Sequence, residues 1–414
     1  MKINLFKPYI TGKELIYIND IISNGKDMAG DGEYTKKVHG LLEKKYNVKK
    51  ALLTTSGTTA LELAIRLLNL KKGDEIIAPS FTFSSTINAI LLAQGVKVVF
   101  AEVDKDTLNI DPADIERKIT RKTKAIMIVH YAGVSCDMDK IMAISKKRNL
   151  KVVEDAAQAI ESKYKGKYLG TIGDFGCLSF HDTKNITCGE GGALFINTSN
   201  KKTQEKAEII REKGTNRSKF FRGEIDKYTW VETGSSYLPS DILAAYLLAQ
   251  LENSELITKK RMKVYDFYKR ELDAFNTVGF YKIPVITKNS THNAHIFYIV
   301  FNTTEDRDFV MSYFKKHNIS APFHYIPLHS APRGVRMGYK ASDLPLTEKL
   351  ASCLIRLPIY SSMTKSESQK VVRIFKEAVK ARILDVNSSK NSEVFIEKPR
   401  YSFVRNIFAT LNLW

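Results

Sequence analysis

The sequence predicts an α/β protein, a large domain with a mainly parallel sheet between helices plus a smaller C-terminal α+β domain. Three observations carry that expectation. Between about Leu52 and Asn197, short apolar runs alternate with helix-length stretches, the rhythm of strands joined by covering helices. A long helical region, 238–272, ends that rhythm. Beyond it the pattern changes to strand-like "HIFYIVF" (295–301) and helix-like "EDRDFVMSYFKKHN" (305–318). A chain of 414 residues, 43% hydrophobic and 26% charged, is long enough for two domains. The expected bounds are 1–250 for the large domain with the N-terminal segment, 251–382 for the small one and 383–414 for a C-terminal extension.

The elements follow in order. In "TTSGTTALELAIRLL", Ala60, Leu63, Ala64, Leu67 and Leu68 form an i, i+3, i+4, i+7, i+8 stripe, so a helix begins near Thr58. Strands are expected at Glu75–Pro79, 96–103, 124–130, 150–154, 177–180 and 193–197, with helices over 82–93 and 137–148. An irregular basic loop spans 213–230. At the end, "DVNSSKNSE" reads as a linker, and beyond it Phe403, Val404, Ile407, Phe408 and Leu411 share one helical face. Its bland reading is docking on the protein's own surface.

Charge excludes more than it selects. The net charge is +19, but the lysines are scattered in pairs along the chain, with no basic block and no interleaved aromatics. Attraction of an anionic small substrate, or a generally basic proteome, explains this better than a nucleic-acid partner. Cys136, Cys177, Cys188 and Cys353 lack CxxC spacing, so neither a metal site nor a disulfide framework is expected. No stretch reads as a signal peptide or a membrane span, and the tail's net of one positive charge is too little for a polybasic anchor. A cytoplasmic protein without membrane insertion is expected.

The chemistry starts from "SFHDTKNITCGEGGALF" (179–195). Lys184 precedes its glycines, whereas a P-loop places the lysine after them, so that reading fails. Three parts stand out. Ser56, Gly57, Thr58 and Thr59 open a helix, where free N–H groups favour phosphate, though the same residues cap many helices. "KVVEDAAQ" presents Asp155 at a strand's C-terminal end, where open α/β sheets place ligands, and Gln158 three residues on; an aspartate there also serves as a helix cap. Ser179 and Lys184 lie at the next strand end and the loop beyond, and a lone loop lysine is ordinarily solvated surface. Together the parts fit pyridoxal 5′-phosphate, which needs a phosphate cradle, a carboxylate at its ring nitrogen and a lysine amine for its aldehyde.

The sequence also resembles the DegT/StrS-type nucleotide-sugar aminotransferases. "PSFTFSST", "VHYAGVSCDMD", "VVEDAAQ", "LGTIGDFGCLSFHDTKN", "GEGGA", "AEIIREKGTNRSKFFRGEIDKYTW", "GSSYLPSD" and "FHYIPLH" carry the likeness over roughly 6–382. It implies the type I fold of pyridoxal-phosphate enzymes and a homodimer with active sites at the subunit interface. The "EKGTNRS…FFRG…DKYTW" block is most similar to the narrower group of dTDP-4-amino-4,6-dideoxygalactose transaminases. Within that resemblance, Lys184 matches the lysine that bonds to the cofactor, Asp155 the partner of the ring nitrogen, and Gln158 the residue beside the ring hydroxyl. Gly57, Thr58 and Ser179 match phosphate contacts, and Phe83 an aromatic stacked on the ring. Many members carry asparagine or lysine in a "GxNY"-like segment that reaches the neighbouring subunit's phosphate. Here Ser236 holds that place, as in the narrower group's "GSSY".

Lysine at position 184 implies transamination, since members with histidine there deoxygenate instead. His181 is implied to pack near the phosphate. His324, Tyr325 and His329 resemble a segment that approaches the substrate from the small domain, or else form a buried turn around Pro327. Arg217 and Arg222 are candidates for the substrate's diphosphate, with a solvated basic loop as the alternative. The implied partners are a dTDP-keto sugar and L-glutamate, and the implied product feeds surface polysaccharide synthesis. Rival readings are the same chemistry on a 3-keto or UDP-linked sugar, a cofactor-binding regulator without turnover, and a DNA-binding protein suggested by charge alone.

Overall fold

Neighbouring apolar residues in the central strands point to opposite faces, and both faces are buried. Ile77, Ile126, Ile128 and Val152 belong to one core, whereas Ile76, Ala125, Met127 and Val153 belong to another on the far side. That is why the strands read as continuous apolar runs rather than alternating ones. Each such side chain contributes about 1.5–3 kcal/mol on burial, so a strand of this kind is held from both sides.

The computed structural model describes residues 2–392. Its first part carries helices α1 (Glu14–Ser23), α2 (Glu33–Tyr46), α3 (Gly57–Leu67), α4 (Ser84–Leu91), α5 (Pro112–Lys118), α6 (Met138–Arg148) and α7 (Lys201–Arg211). Its strands are β1 (Lys50–Thr54), β2 (Glu75–Pro79), β3 (Lys97–Ala101), β4 (Thr123–Val129), β5 (Lys151–Asp155), β6 (Lys163–Tyr164), β7 (Lys167–Tyr168), β8 (Phe175–Ser179) and β9 (Gly192–Ile196). Among the described residues, seven of these form one sheet in the order β1-β9-β8-β5-β4-β2-β3. Neighbours from β3 to β8 run parallel, and β9 is antiparallel to both β8 and β1. The fold is the mainly parallel α/β sheet between helices that the sequence predicts.

The long region expected over 238–272 is two helices, α9 (Asp241–Glu252) and α10 (Ser254–Phe275), after a short α8 (Arg217–Phe221) within the basic loop. Asn253 separates them: its backbone leaves the helical region at φ −108°, ψ 10°, and its side-chain amide donates to the Ala249 carbonyl at 2.9 Å. Helix α10 spans two cores, with Ile257 under the large sheet and Val264, Tyr265, Tyr268 and Leu272 in a third core.

That third core surrounds an antiparallel sheet of β10 (Tyr281–Lys282), β12 (Phe297–Phe301) and β13 (Leu354–Leu357), with β12 in the middle. A two-residue β11 (Ser290–Thr291) pairs instead with the β6–β7 hairpin. Helix α11 (Thr304–Lys316) and the last helix, Lys365–Ser392, cover the small sheet, Phe314 and Phe375 packing there. The segment read as a linker is thereby corrected in part, because the last helix continues through Ser392. Ser, Asn and Asp cost only tenths of a kcal/mol each once a helix is nucleated and packed. The rest of that segment and the apolar face from Phe403 to Leu411 lie outside the described residues.

The first residues cross to this second body. Ile3 bridges to Ile319 in parallel, and the Ile359 N–H donates to the Leu5 carbonyl at 3.1 Å. The chain then returns to pack α1 against α9.

Candidate active site

The C-terminal ends of β4, β5 and β8 open into a cavity of about 550 Å³, at the edge where parallel sheets present loops to ligands. Asp155 is the last residue of β5 and Ser179 the last of β8, on adjacent parallel strands, with Ser179 two residues beyond Cys177, the residue paired with Asp155. Gly57 and Thr58 form the first turn of α3, which Ser56 caps through a reciprocal capping box with Thr59. The N–H groups of Gly57 and Thr58 have no partner among the described residues. A side chain at Gly57 would meet Ser179 Cβ at 2.8 Å, so only glycine lets the helix start approach that strand end.

Asp155 is buried and held at both oxygens. Thr86 Oγ1 donates to Oδ2 at 2.8 Å and the Ala157 N–H donates to Oδ1 at 3.1 Å. Burial raises its pKa above the ordinary carboxylate value, against the pull of those donors and of the Lys184 charge. Lys184 faces the same cavity, and its amine makes no hydrogen bond among the described residues. Burial lowers its basicity, while the Asp155 charge opposes that shift. A carboxylate lacking a cation and an amine biased toward its neutral form therefore sit in one enclosed space. Such a pair fits a cofactor that offers a ring N–H to the acid and an aldehyde to the amine.

Gln158 Oε1 accepts from the Ala132 N–H at 2.7 Å, which fixes its amide so that Nε2 donates to Tyr325 Oη at 3.0 Å. Tyr325 and His324 come from the second body, stacked with ring centroids 3.6 Å apart, and both line the cavity. Tyr131 Oη and His324 Nδ1 share a hydrogen bond of 2.8 Å. Burial, and then the Arg356 and Lys184 charges, hold His324 below the ordinary histidine range. Phe83, just before α4, presents an exposed ring at the wall, 6.2 Å from that of Tyr325. His181 also lines the wall, near Thr183 and Glu190.

The structure thus brings Gly57, Thr58, Phe83, Asp155, Gln158, Ser179, Lys184, His324 and Tyr325 to one cavity. It does not bring His329, Arg217, Arg222 or Ser236. The substrate role expected for His329 is corrected: the side chain is fully buried, with Nδ1 on Ser80 Oγ at 2.7 Å, because the turn at Pro327 directs it behind the wall. Arg222 is occupied by Glu208 and Glu224, and the Arg217 guanidinium lies over the Phe221 ring at 4.8 Å. Ser236 is exposed, beside a backbone bridge to Glu212.

Three lining or supporting residues escaped the sequence reading. Thr86 carries no signal beyond its place at a helix start. Arg261, pushed down to about 9 by burial, is pinned by the Ala294 and His295 carbonyls. Arg356 carries the one available cue, a charge inside the otherwise apolar strand "LIRL".

Comparison with known proteins follows the same lines. The model of the DegT/DnrJ/EryC1/StrS aminotransferase family matches residues 8–376. The chain is 32% identical to a GDP-perosamine synthase of Escherichia coli O157:H7, over 88% of this chain and 95% of the relative. It is 31% identical to a spore coat polysaccharide biosynthesis protein of Bacillus subtilis, over 92% and 98%. A Streptococcus pneumoniae protein assigned as a sugar aminotransferase, solved in its PLP form, superposes with a TM-score of 0.84 at 25% identity, covering 92% of this chain and 99% of that one.

Proposed function

Because this chain belongs to the DegT/DnrJ/EryC1/StrS aminotransferase family, we propose that it transfers an amino group from L-glutamate to the C4 ketone of dTDP-4-keto-6-deoxyglucose. The product is then dTDP-4-amino-4,6-dideoxygalactose, for surface polysaccharide synthesis. One observation carries the reading: an unengaged, desolvated Lys184 amine shares its cavity with the buried Asp155 and the open first turn of α3. The family resemblance of the loop 213–230 supports the choice of sugar.

Pyridoxal 5′-phosphate is the cofactor, and when bound it supplies a carbonyl that takes up an amino group and a ring that withdraws electrons from the reacting carbon. Gly57 and Thr58 N–H groups and the Ser179 hydroxyl bind its phosphate. Phe83 covers one ring face. Asp155 keeps the ring nitrogen protonated, with Thr86 and Ala157 fixing its aim. Gln158, fixed by Ala132, stands at the ring hydroxyl. Lys184 Nζ holds the cofactor at rest, removes the proton from the donor's α-carbon and delivers one to C4 of the sugar.

His324 and Tyr325 flank the sugar. The active sites lie at a homodimer interface, which exposed Leu15, Phe221 and Trp230 support as apolar surface on the free chain. The division into 1–250, 251–382 and 383–414 belongs to the same proposal, with the first residues crossing to the small body. The relative named GDP-perosamine synthase favours a second reading, the same chemistry on a GDP-linked sugar.

Incubation with L-glutamate and 3-keto or 4-keto sugars linked to dTDP, GDP or UDP, with products read by NMR, tests both. A 4-amino sugar from the dTDP substrate is expected. Amination of the GDP substrate alone would move the assignment to the second reading, and amination of none would overturn both. A stopped-flow measurement addresses Lys184 directly. Capture of pyridoxal phosphate by cofactor-free protein should rise with pH through a midpoint below 10.5, since the neutral amine attacks. Asp155→Asn removes the charge that favours the ammonium, so the midpoint should fall further. A midpoint left in place would uncouple the two residues.

A further inference from the structure

Arg356 sits in β13, and its guanidinium reaches the same cavity wall as His324 and Tyr325. Its Nε and Nη2 donate to the Phe323 carbonyl at 3.3 and 3.0 Å, which fixes the plane of the group. Nη1 has no partner, and no carboxylate lies within ion-pair distance, among the described residues. The groups around it are phenols and neutral rings: Tyr131 and Tyr325 favour its charge, and His324 feels it as a repulsion. Asp155 and Glu190 are the acids of the wall, and both are engaged elsewhere, Asp155 with Thr86 and Ala157 and Glu190 beside His181. A planar, partly desolvated cation with free N–H groups and no anion is built to receive one.

We infer that Arg356 binds the α-carboxylate of the amino donor, which makes it a specificity residue for the first half-reaction. The inference rests on the proposed transamination. The choice of anion follows from the chemistry of the two substrates that must use one site. A donor amino acid carries its carboxylate on the reacting carbon itself, so the matching cation must stand inside the cavity. A sugar nucleotide carries its charge on the diphosphate at the far end, and its reacting carbon is flanked by neutral groups. Arg261, the other arginine of the wall, is already held by two carbonyls. Both arginines leave Nη1 without a partner among the described residues, but Arg261 is buried with its two engaged donors on separate carbonyls. Arg356 is half-buried, spends both on the one Phe323 carbonyl and stands beside His324 and Tyr325.

The test uses the cofactor-loaded protein and 2-methylglutamate, which has no α-hydrogen to lose, with binding read from cofactor absorbance. Arg356→Gln and Arg356→Ala should each weaken binding about 10- to 100-fold, the range for one charge-assisted contact. Arg356→Lys should recover part of the loss. The α-amide of the same ligand should bind weakly to the native protein and lose nothing further in the variants. Retained cofactor shows that each variant is folded. A loss below about threefold, or an equal loss for the α-amide, would overturn the assignment while leaving transamination intact. If no amino acid alters the absorbance of the native protein, the proposed function falls first and Arg356 with it.

Discussion

Lys184→Ala should lower sugar amination by about 10³-fold or more, while the variant still binds the aminated cofactor. The magnitude follows from the two tasks assigned to one nitrogen. A positioned acid–base group contributes roughly 10²–10⁴-fold, and loss of the covalent tether adds to it. Among the described residues Lys184 is the one lysine lining the cavity, and no second amine lines it to take over its role. Borohydride reduction of the loaded native protein, followed by peptide mass analysis, should place the pyridoxyl group on Lys184. An adduct on another lysine would sink the mechanism, and so would near-normal turnover of Lys184→Ala.

Asp155→Asn should keep a measurable share of cofactor yet lose roughly 10²–10³-fold in turnover, the scale of leaving a buried charge without its partner. The amide retains the shape and still accepts from Thr86 or Ala157, so folding is expected to survive. What it lacks is the negative charge that holds a proton on the ring nitrogen. The loss should therefore fall on kcat for both half-reactions, with little change in the affinity for either substrate. Turnover within a few fold of the native value would show that another group holds the ring nitrogen.

Much of the sheet was legible because each parallel strand is short, apolar and buried on both faces. "KVVED" and "FGCLS" show where a strand ends, and with it where Asp155 and Ser179 stand. Strand β1 was missed because "KALLT" lies next to the helix-start signal and pairs with β9, more than a hundred residues away. Read from chemistry alone, Lys184 was legible only in company, since a loop lysine needs Asp155 and the α3 start to make sense of it; the resemblance of "LGTIGDFGCLSFHDTKN" pointed to it separately. His329 was misread because adjacency in "HYIPLH" does not survive the turn at Pro327. Arg356 was overlooked because a charge within a strand reads as a solvent-facing residue until the opposite wall is known.

The crossing of the N-terminal segment has a consequence for how the protein is made. Ile3 finds Ile319, and Leu5 finds Ile359, only after more than three hundred further residues have left the ribosome. At roughly 5–20 residues per second, that is a wait on the order of tens of seconds. Strands β1 to β9 and their covering helices are all emitted earlier, so the large sheet can assemble with its mouth still open. Leu5 and Phe6 line the cavity, so that part of the wall closes only after Ile319 and Ile359 have been made, and until then the segment from Ile3 to Phe6 lacks its bridging partners and is open to a chaperone or protease.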